Sequence, residues 1–257
     1  MAPRSFLMWG IHAVRSALTR AGEGAIELWV RDGHRPPDID EVAGLGRAAG
    51  VTTQVVPAKT LNRLTEGAVH QGVVLRRRYP APLSLEDYLE SIAVRAGPPL
   101  LLALDQVTDP QNFGACLRVA DGAGADAVLV PRDHSAQITG HVAKAASGAL
   151  DSIPVIFAPN LARALDQLRN GGMWVIGATH DAEPVLYDCD MESPTTLVFG
   201  GEGAGLRSLT RQKCDVLARL PMAGSVASLN VSTAAAIGLF EAVRQRRPVR
   251  SSDGSVS

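Results

Sequence analysis

The chain has 257 residues, 46% of them hydrophobic and 20% charged, and its 25 Lys and Arg against 26 Asp and Glu give a formal net charge of −1. That is too apolar for a disordered chain and long enough to bury a sizeable core, and no run approaches the roughly 18 apolar residues of a membrane helix. A net charge near zero supplies no whole-molecule attraction to a polyanion. Residues 1–79, however, carry 11 basic and 7 acidic side chains, a balance of +4, whereas residues 80–257 carry 14 and 19, a balance of −5.

At the start, Arg4 precedes the apolar Phe6-Leu7-Met8-Trp9, but Gly10 and His12 end that run and no small-residue cleavage site follows, so a cytoplasmic chain is expected. Residues 10–18 have helical spacing, 26–30 read as a strand, 39–49 as a helix, and 51–56 and 72–75 as short strands, together a small α/β module over 1–78. Two proline-rich stretches then bracket a predicted linker over 79–99, with a short amphipathic segment between them. From residue 100 the pattern alternates more clearly. Strands are predicted at 100–104, 127–130, 155–158, 174–178, 196–199 and 216–220, and helices at 113–123, 139–147, 160–170, 206–213 and 228–246, before a polar tail at 248–257. Strands apolar throughout and separated by helices predict a parallel sheet covered on both faces. Cys116, Cys189 and Cys214 lack any CxxC spacing, and His12, His34, His70, His134, His141 and His180 lack ligand spacing, so neither a disulfide framework nor a metal site is expected.

Parallel sheets gather their ligands at the carboxyl ends of the strands, and three loops there are unusual. In the first, Asp109-Pro110 supplies a helix cap followed by proline at the first helical position. Asn112 and Arg118 lie about 600° of helical rotation apart, so they share a face only if Asn112 sits in a non-helical entry. There the pair would grip a phosphate or ribose edge; otherwise Asn112 caps the helix and Arg118 pairs with a surface carboxylate. The second loop, Phe199-Gly200-Gly201-Glu202-Gly203-Ala204-Gly205-Leu206, has four glycines but neither a GxGxxG nor a P-loop pattern. Glu202 would repel a pyrophosphate and suits a cationic ligand or a hydroxyl, unless it is a solvated residue of a glycine turn. The third runs Leu220-Pro221-Met222 to Ser228-Leu229-Asn230-Val231-Ser232, where Ser228 or Asn230 can cap the last helix.

In this order the three loops resemble the three motifs of the SpoU/TrmH group of ribose 2′-O-methyltransferases, within the SPOUT class, and Lys144-Ala145-Ala146-Ser147-Gly148-Ala149 with Pro154 looks like that family's connecting helix. Gly10-Ile11-His12-Ala13-Val14 and His70-Gln71-Gly72-Val73-Val74 are similar to the substrate-binding domain of the RlmB-like subgroup, which methylates a guanosine of 23S ribosomal RNA. The resemblance spans roughly residues 5–247. It implies an α/β chain with an L30e-like RNA-binding domain at 1–78, a linker at 79–99, a SPOUT catalytic domain with a trefoil knot at 100–247, and a flexible tail at 248–257. A homodimer is implied as well. S-adenosylmethionine would be held by Thr179, Gly200, Gly201, Leu220, Met222, Ser228 and Leu229, and Asn112, Arg118, Glu202, Ser228 and Asn230 would be catalytic. A guanidinium is a poor base, so Arg118 is expected to organise charge in preference to accepting the proton, for which Glu202 is a candidate. Arg76, Arg77 and Arg78 are either phosphate contacts or a solvated basic run. The competing readings are a transfer-RNA or resistance-type ribosomal RNA methyltransferase and, in another class, a non-catalytic RNA-binding protein of ribosome assembly. A nicotinamide dehydrogenase fits poorly, because no glycine fingerprint follows the strand at 100–104.

Overall fold

The run Phe6-Leu7-Met8-Trp9 forms strand β1 (Ser5–Trp9), which Gly10, at φ +96°, turns directly into helix α1 (Ile11–Thr19). The computed structural model describes residues 5–19, 24–33, 36–79, 83–203 and 205–247. His34, Ala204 and the predicted tail lie outside them. Next come β2 (Ala25–Arg31), α2 (Pro37–Ala48), β3 (Thr52–Val56), α3 (Ala58–Leu64) and β4 (Val73–Arg78). Their sheet has the order β1-β4-β2-β3, with β4 antiparallel to both neighbours and β2 parallel to β3. Alternate residues of β2 and β4 face opposite ways. Leu28, Val30, Val73 and Leu75 join Val14, Leu18 and Val42 in the main core, while Trp29 and Val74 meet Trp9 and Leu61 on the other face.

Within the stretch read as a linker, residues fold into α4 (Leu85–Ala93), capped by the Ser84 hydroxyl, which accepts from the Asp87 N–H at 3.0 Å. Leu85 and Tyr88 are buried against Leu165 and Leu168. The second sheet is built from β5 (Leu100–Asp105), α5 (Pro110–Gly122), β6 (Ala127–Pro131), α6 (Gly140–Ala146), β7 (Val155–Ala158), α7 (Leu161–Asn170), β8 (Trp174–Ala178), β9 (Thr195–Gly200), α8 (Ser208–Gln212), β10 (Val216–Ala218) and α9 (Val231–Gln245). Its order is β10-β8-β9-β5-β6-β7 and every pair is parallel, as the solid apolar strands predict. After β9 the chain passes outward across β8 to β10, then returns as α9 to lie on β9 and α5. No described helix is long and apolar enough to cross a membrane.

The two sheets share one apolar core, and their joint is tight. A Cβ on Gly140, the first residue of α6, would fall 2.0 Å from the Trp9 ring and 2.3 Å from the Leu7 carbonyl oxygen. Beside it Lys144 Nζ donates to the Val69 carbonyl at 2.8 Å, and Arg77 pairs with Asp151 where both side chains are under a tenth exposed. Gly140→Ala is therefore expected to cost about 1–3 kcal/mol by overpacking. Gly44→Ala, on the open face of α2 with nothing within 4 Å, should be neutral or stabilising by up to about 1 kcal/mol. Urea unfolding of the two variants measures the contrast.

Candidate active site

The three unusual loops meet at the carboxyl end of the second sheet. Asp109 caps α5 by accepting from the Asn112 N–H at 2.8 Å, with Pro110 at the first helical position. Asn112 thus neither caps the helix nor lies in a non-helical entry. It sits in the first turn, and Arg118 is about 120° away around the axis. Arg118 is exposed and, among the described residues, makes no hydrogen bond or ion pair.

The Asn112 side chain faces Glu202, to whose Oε1 its Nδ2 donates at 3.1 Å. Asn230 Nδ2 donates to the same oxygen at 2.6 Å and to Asn112 Oδ1 at 2.8 Å. Its own Oδ1 accepts from the Ser232 N–H at 2.9 Å and the Ser232 hydroxyl at 2.7 Å, so Asn230, rather than Ser228, caps α9. The first and third loops thus each place one amide on the carboxylate of the second. Glu202 is consequently not a freely solvated turn residue: two amides fix Oε1, while Oε2 has no partner among the described residues.

The glycine loop that carries Glu202 is pressed against the end of β5. Gly201 N donates to the Asp105 carbonyl at 2.8 Å and Gly205 N to the Gly201 carbonyl at 3.0 Å. A Cβ on Gly200 would lie 2.1 Å from the Gly205 carbonyl carbon, and one on Gly201 2.3 Å from the Gln106 carbonyl oxygen. Asp105, fully buried, accepts from Arg207 N at 2.9 Å and from Arg207 Nε at 2.7 Å. Sequence reasoning did not single out this pair. Its signal was available: a lone carboxylate closes an otherwise wholly apolar strand.

The residues expected to hold a cofactor line the neighbouring strand ends. Thr179 N donates to the Ala218 carbonyl at 2.9 Å, and its hydroxyl donates to Asp181 while accepting from Arg211 Nη1 at 3.1 Å. The Arg211 guanidinium, with that hydroxyl, holds the Asp181 carboxyl well below the usual carboxylate range. Arg219 anchors the third loop through Arg219 N to the Pro184 carbonyl and Leu186 N to the Arg219 carbonyl, both 2.8 Å, and Asn230 anchors its other end. Between them, residues 220–229 make no hydrogen bond among the described residues, and Leu220, Met222 and Leu229 are half-buried. Unused backbone donors and acceptors beside half-buried apolar side chains suit a flat, polar-edged base such as adenine. A separate cleft of about 830 Å³, lined by Arg169, Trp174, Asp190 and Asp215, lies at the amino ends of β8 and β10, away from these loops. Among the described residues no cluster of His, Cys, Asp and Glu could hold a metal.

Strand alternation divides the three arginines of β4. Arg76 lies 5.1 Å over the Trp29 ring and 3.4 Å from Glu27, and Arg78 is exposed. Arg77, on the opposite face, is buried against Asp151, so its expected place as a phosphate contact is corrected to a place in the joint between the sheets.

A parallel α/β sheet whose carboxyl-end loops meet around an amide-held carboxylate, preceded by a small α/β module, has the layout of an α/β enzyme with its site at the strand ends. The chain matches the model of the SpoU rRNA Methylase family over residues 99–240 and that described as RNA 2'-O ribose methyltransferase substrate binding over residues 7–80. It is 46% identical over 243 residues to the 23S rRNA (guanosine-2'-O-)-methyltransferase RlmB of Pseudomonas aeruginosa, covering 94% of this chain and 97% of that one. Its fold is similar to the SpoU methyltransferase AviRb from Streptomyces viridochromogenes in complex with AdoMet, with TM-score 0.80 and 28% identity over 94% of this chain and 90% of that one. An AdoMet-bound rRNA methyltransferase from Sinorhizobium meliloti matches with TM-score 0.77 and 28% identity over 95% and 89%. The chain belongs to the SpoU rRNA methylase family.

The two duties of Asn230 are separable. Asn230→Ala should cost about 1 kcal/mol through loss of the cap, whereas Asn230→Ser, which keeps a capping oxygen, should cost a few tenths. Denaturant unfolding measures both, and a cost equal for the two would refute the capping role.

Proposed function

We propose that the protein transfers a methyl group from S-adenosylmethionine to the ribose 2′-hydroxyl of a guanosine in 23S ribosomal RNA. The observation that carries the proposal is the carboxylate of Glu202 held by Asn112 and Asn230, each from a different loop, beside a stretch with unspent backbone hydrogen bonds. When bound, S-adenosylmethionine supplies an electrophilic methyl on a sulfonium. Residues 220–229, with Thr179, Gly200 and Gly201 at the adjoining strand ends, hold it through backbone groups and the apolar Leu220, Met222 and Leu229. Ser228 lies at the edge where this stretch faces the substrate.

The chain must then align a weakly acidic alcohol and receive its proton. The amides of Asn112 and Asn230 occupy Glu202 Oε1 and aim Oε2 outward, where it accepts the hydroxyl proton. Arg118 contributes positive charge next to the substrate phosphate and lowers the hydroxyl's pKa. Its position about 120° from Asn112 supports a homodimer, in which Arg118 of one protomer serves the site of its partner. The half-exposed Phe240 on α9, a helix that packs on α5, supports an apolar contact between protomers at that helix. The return of the chain from β10 at the sheet edge to α9 on β9 and α5 supports the trefoil knot that the family resemblance implies. We further propose the divisions at residues 78 and 99 and a cytoplasmic site of action, where ribosomal RNA is met; α4 within 79–99 packs with the catalytic sheet.

Labelled S-adenosylmethionine and 23S RNA from cells lacking this protein provide the test: incorporation at one guanosine ribose is expected, and none refutes the activity. Arg118→Ala should lower kcat by about 100-fold or more, as for removal of a charge-stabilising donor. A variant with full turnover would remove Arg118 from the mechanism.

Charge at β4 gives a separate prediction. Arg76→Glu and Arg78→Glu should each weaken RNA binding and reduce the slope of log K against log salt by about 1. Arg77→Glu should instead lower folding stability by about 3 kcal/mol or more, because it breaks a buried ion pair. Binding titrations over a salt series and urea unfolding read the two effects independently.

A further inference from the structure

We propose that Asp105 and Arg207 are a positioning pair that sets the location of the Glu202 carboxylate, and so tunes turnover without touching substrate or cofactor. The inference rests on the reading of Glu202 as the reaction-site carboxylate. Asp105 ends β5, the strand between β9 and β6, and its side chain is fully buried. It grips the glycine loop at both ends. Its main-chain carbonyl accepts from Gly201 N at 2.8 Å, and its carboxylate accepts from Arg207 N at 2.9 Å through Oδ2 and from Arg207 Nε at 2.7 Å through Oδ1. Glu202 lies in the span between these two anchors.

The span is tightly packed where it leaves β9. Gly205 N closes it on the Gly201 carbonyl at 3.0 Å, and the room for a Cβ at Gly200 or Gly201 is already taken by Gly205 and by Gln106, itself at φ +58°. From Asp105 the chain runs through only four residues to the Pro110 start of α5, which carries Asn112. One residue therefore references both Asn112 and Glu202 to the same strand end. Asp105 is fully buried while the Arg207 side chain is 39% exposed, so the pair gives the buried carboxylate a partner that reaches in from the surface. What a carboxylate–guanidinium contact adds is fixed direction: the planar Arg207 fork tolerates little rotation about Asp105.

The full-length protein carrying Arg207→Lys, Arg207→Ala or Asp105→Asn, each alone and combined with Glu202→Gln, provides the test. Arg207→Lys keeps a charge for Asp105 but loses the fork, so it remains available if Arg207→Ala does not fold. Expected for Arg207→Lys is a kcat lower by ~10- to 100-fold with KM for S-adenosylmethionine changed by less than ~3-fold, the loss produced by a small misplacement of a reacting group. Calorimetric binding of S-adenosylmethionine should persist. In the Glu202→Gln background the same substitution should cost less than ~2-fold more, because groups acting as a unit are not additive. Unchanged kcat in Arg207→Lys with Glu202→Gln inactive overturns the inference alone, as does an undiminished loss in the Glu202→Gln background. Full turnover in Glu202→Gln overturns the reading of the carboxylate itself, and the inference falls with it.

Discussion

Strand β5 has no residue exposed to solvent along its whole length, and the rest of the catalytic half is arranged around that constraint. Leu100, Leu102 and Leu104 enter one apolar layer with α5, α6 and α9, while Leu101 and Ala103 enter the other with α4 and α7. A strand buried on both faces can offer chemistry only at an end. At the carboxyl end of β5 stands Asp105, followed by the loop into α5, with the glycine loop of β9 lying against it in register from Leu104 opposite Phe199 to Asp105 opposite Gly200. The parallel pairing makes this possible: both loops leave the sheet on the same side, which an antiparallel pair would forbid.

The near-neutral net charge is an average over parts with different duties. The basic excess of residues 1–79 is not all available to a polyanion, because Arg77 is spent in the joint with Asp151 and Arg15 is paired with Asp38 and Glu41. Arg76 is shared with Trp29 and Glu27, and Arg78 is exposed on the same strand. The joint that consumes Arg77 also fixes where that strand stands, since Gly140 admits the Trp9 ring at a distance no side chain would allow. The two sheets are thus held in one geometry by a small residue, a lysine on a carbonyl and a buried ion pair.

Much of the catalytic sheet was legible because its strands are solid apolar runs bounded by caps and glycines; the predicted strands at 127–130, 155–158 and 174–178 match β6, β7 and β8 to within a residue. Elements that bury little were not legible. α3 is seven residues long with only Leu61 buried, too short for a helical period to declare itself, and β1 offered four apolar residues at the position where a leader would also begin. α4 hid between proline-rich stretches that signal a linker whether or not a helix docks within it. In the site, motif order was readable but contact was not. Asn112 and Glu202 are 90 positions apart and Asn230 a further 28, and no local pattern encodes that their amides share one oxygen. The Arg76, Arg77 and Arg78 run shows the opposite failure: the strand period that separates them was present in the sequence, and treating them as one patch ignored it.

The position of Arg118 is set by the helix that carries it. Six residues along α5 place it about 9 Å from Asn112 in axial rise and about 120° around the helix, so the two side chains cannot converge on one hydroxyl from the same helix without unwinding it. Unwinding is opposed at the start, where Asp109 and Pro110 cap α5, and along its length, where Phe113, Cys116, Leu117 and Ala120 are buried. Arg118 therefore stays exposed on a face of α5 turned away from the amide-held carboxylate.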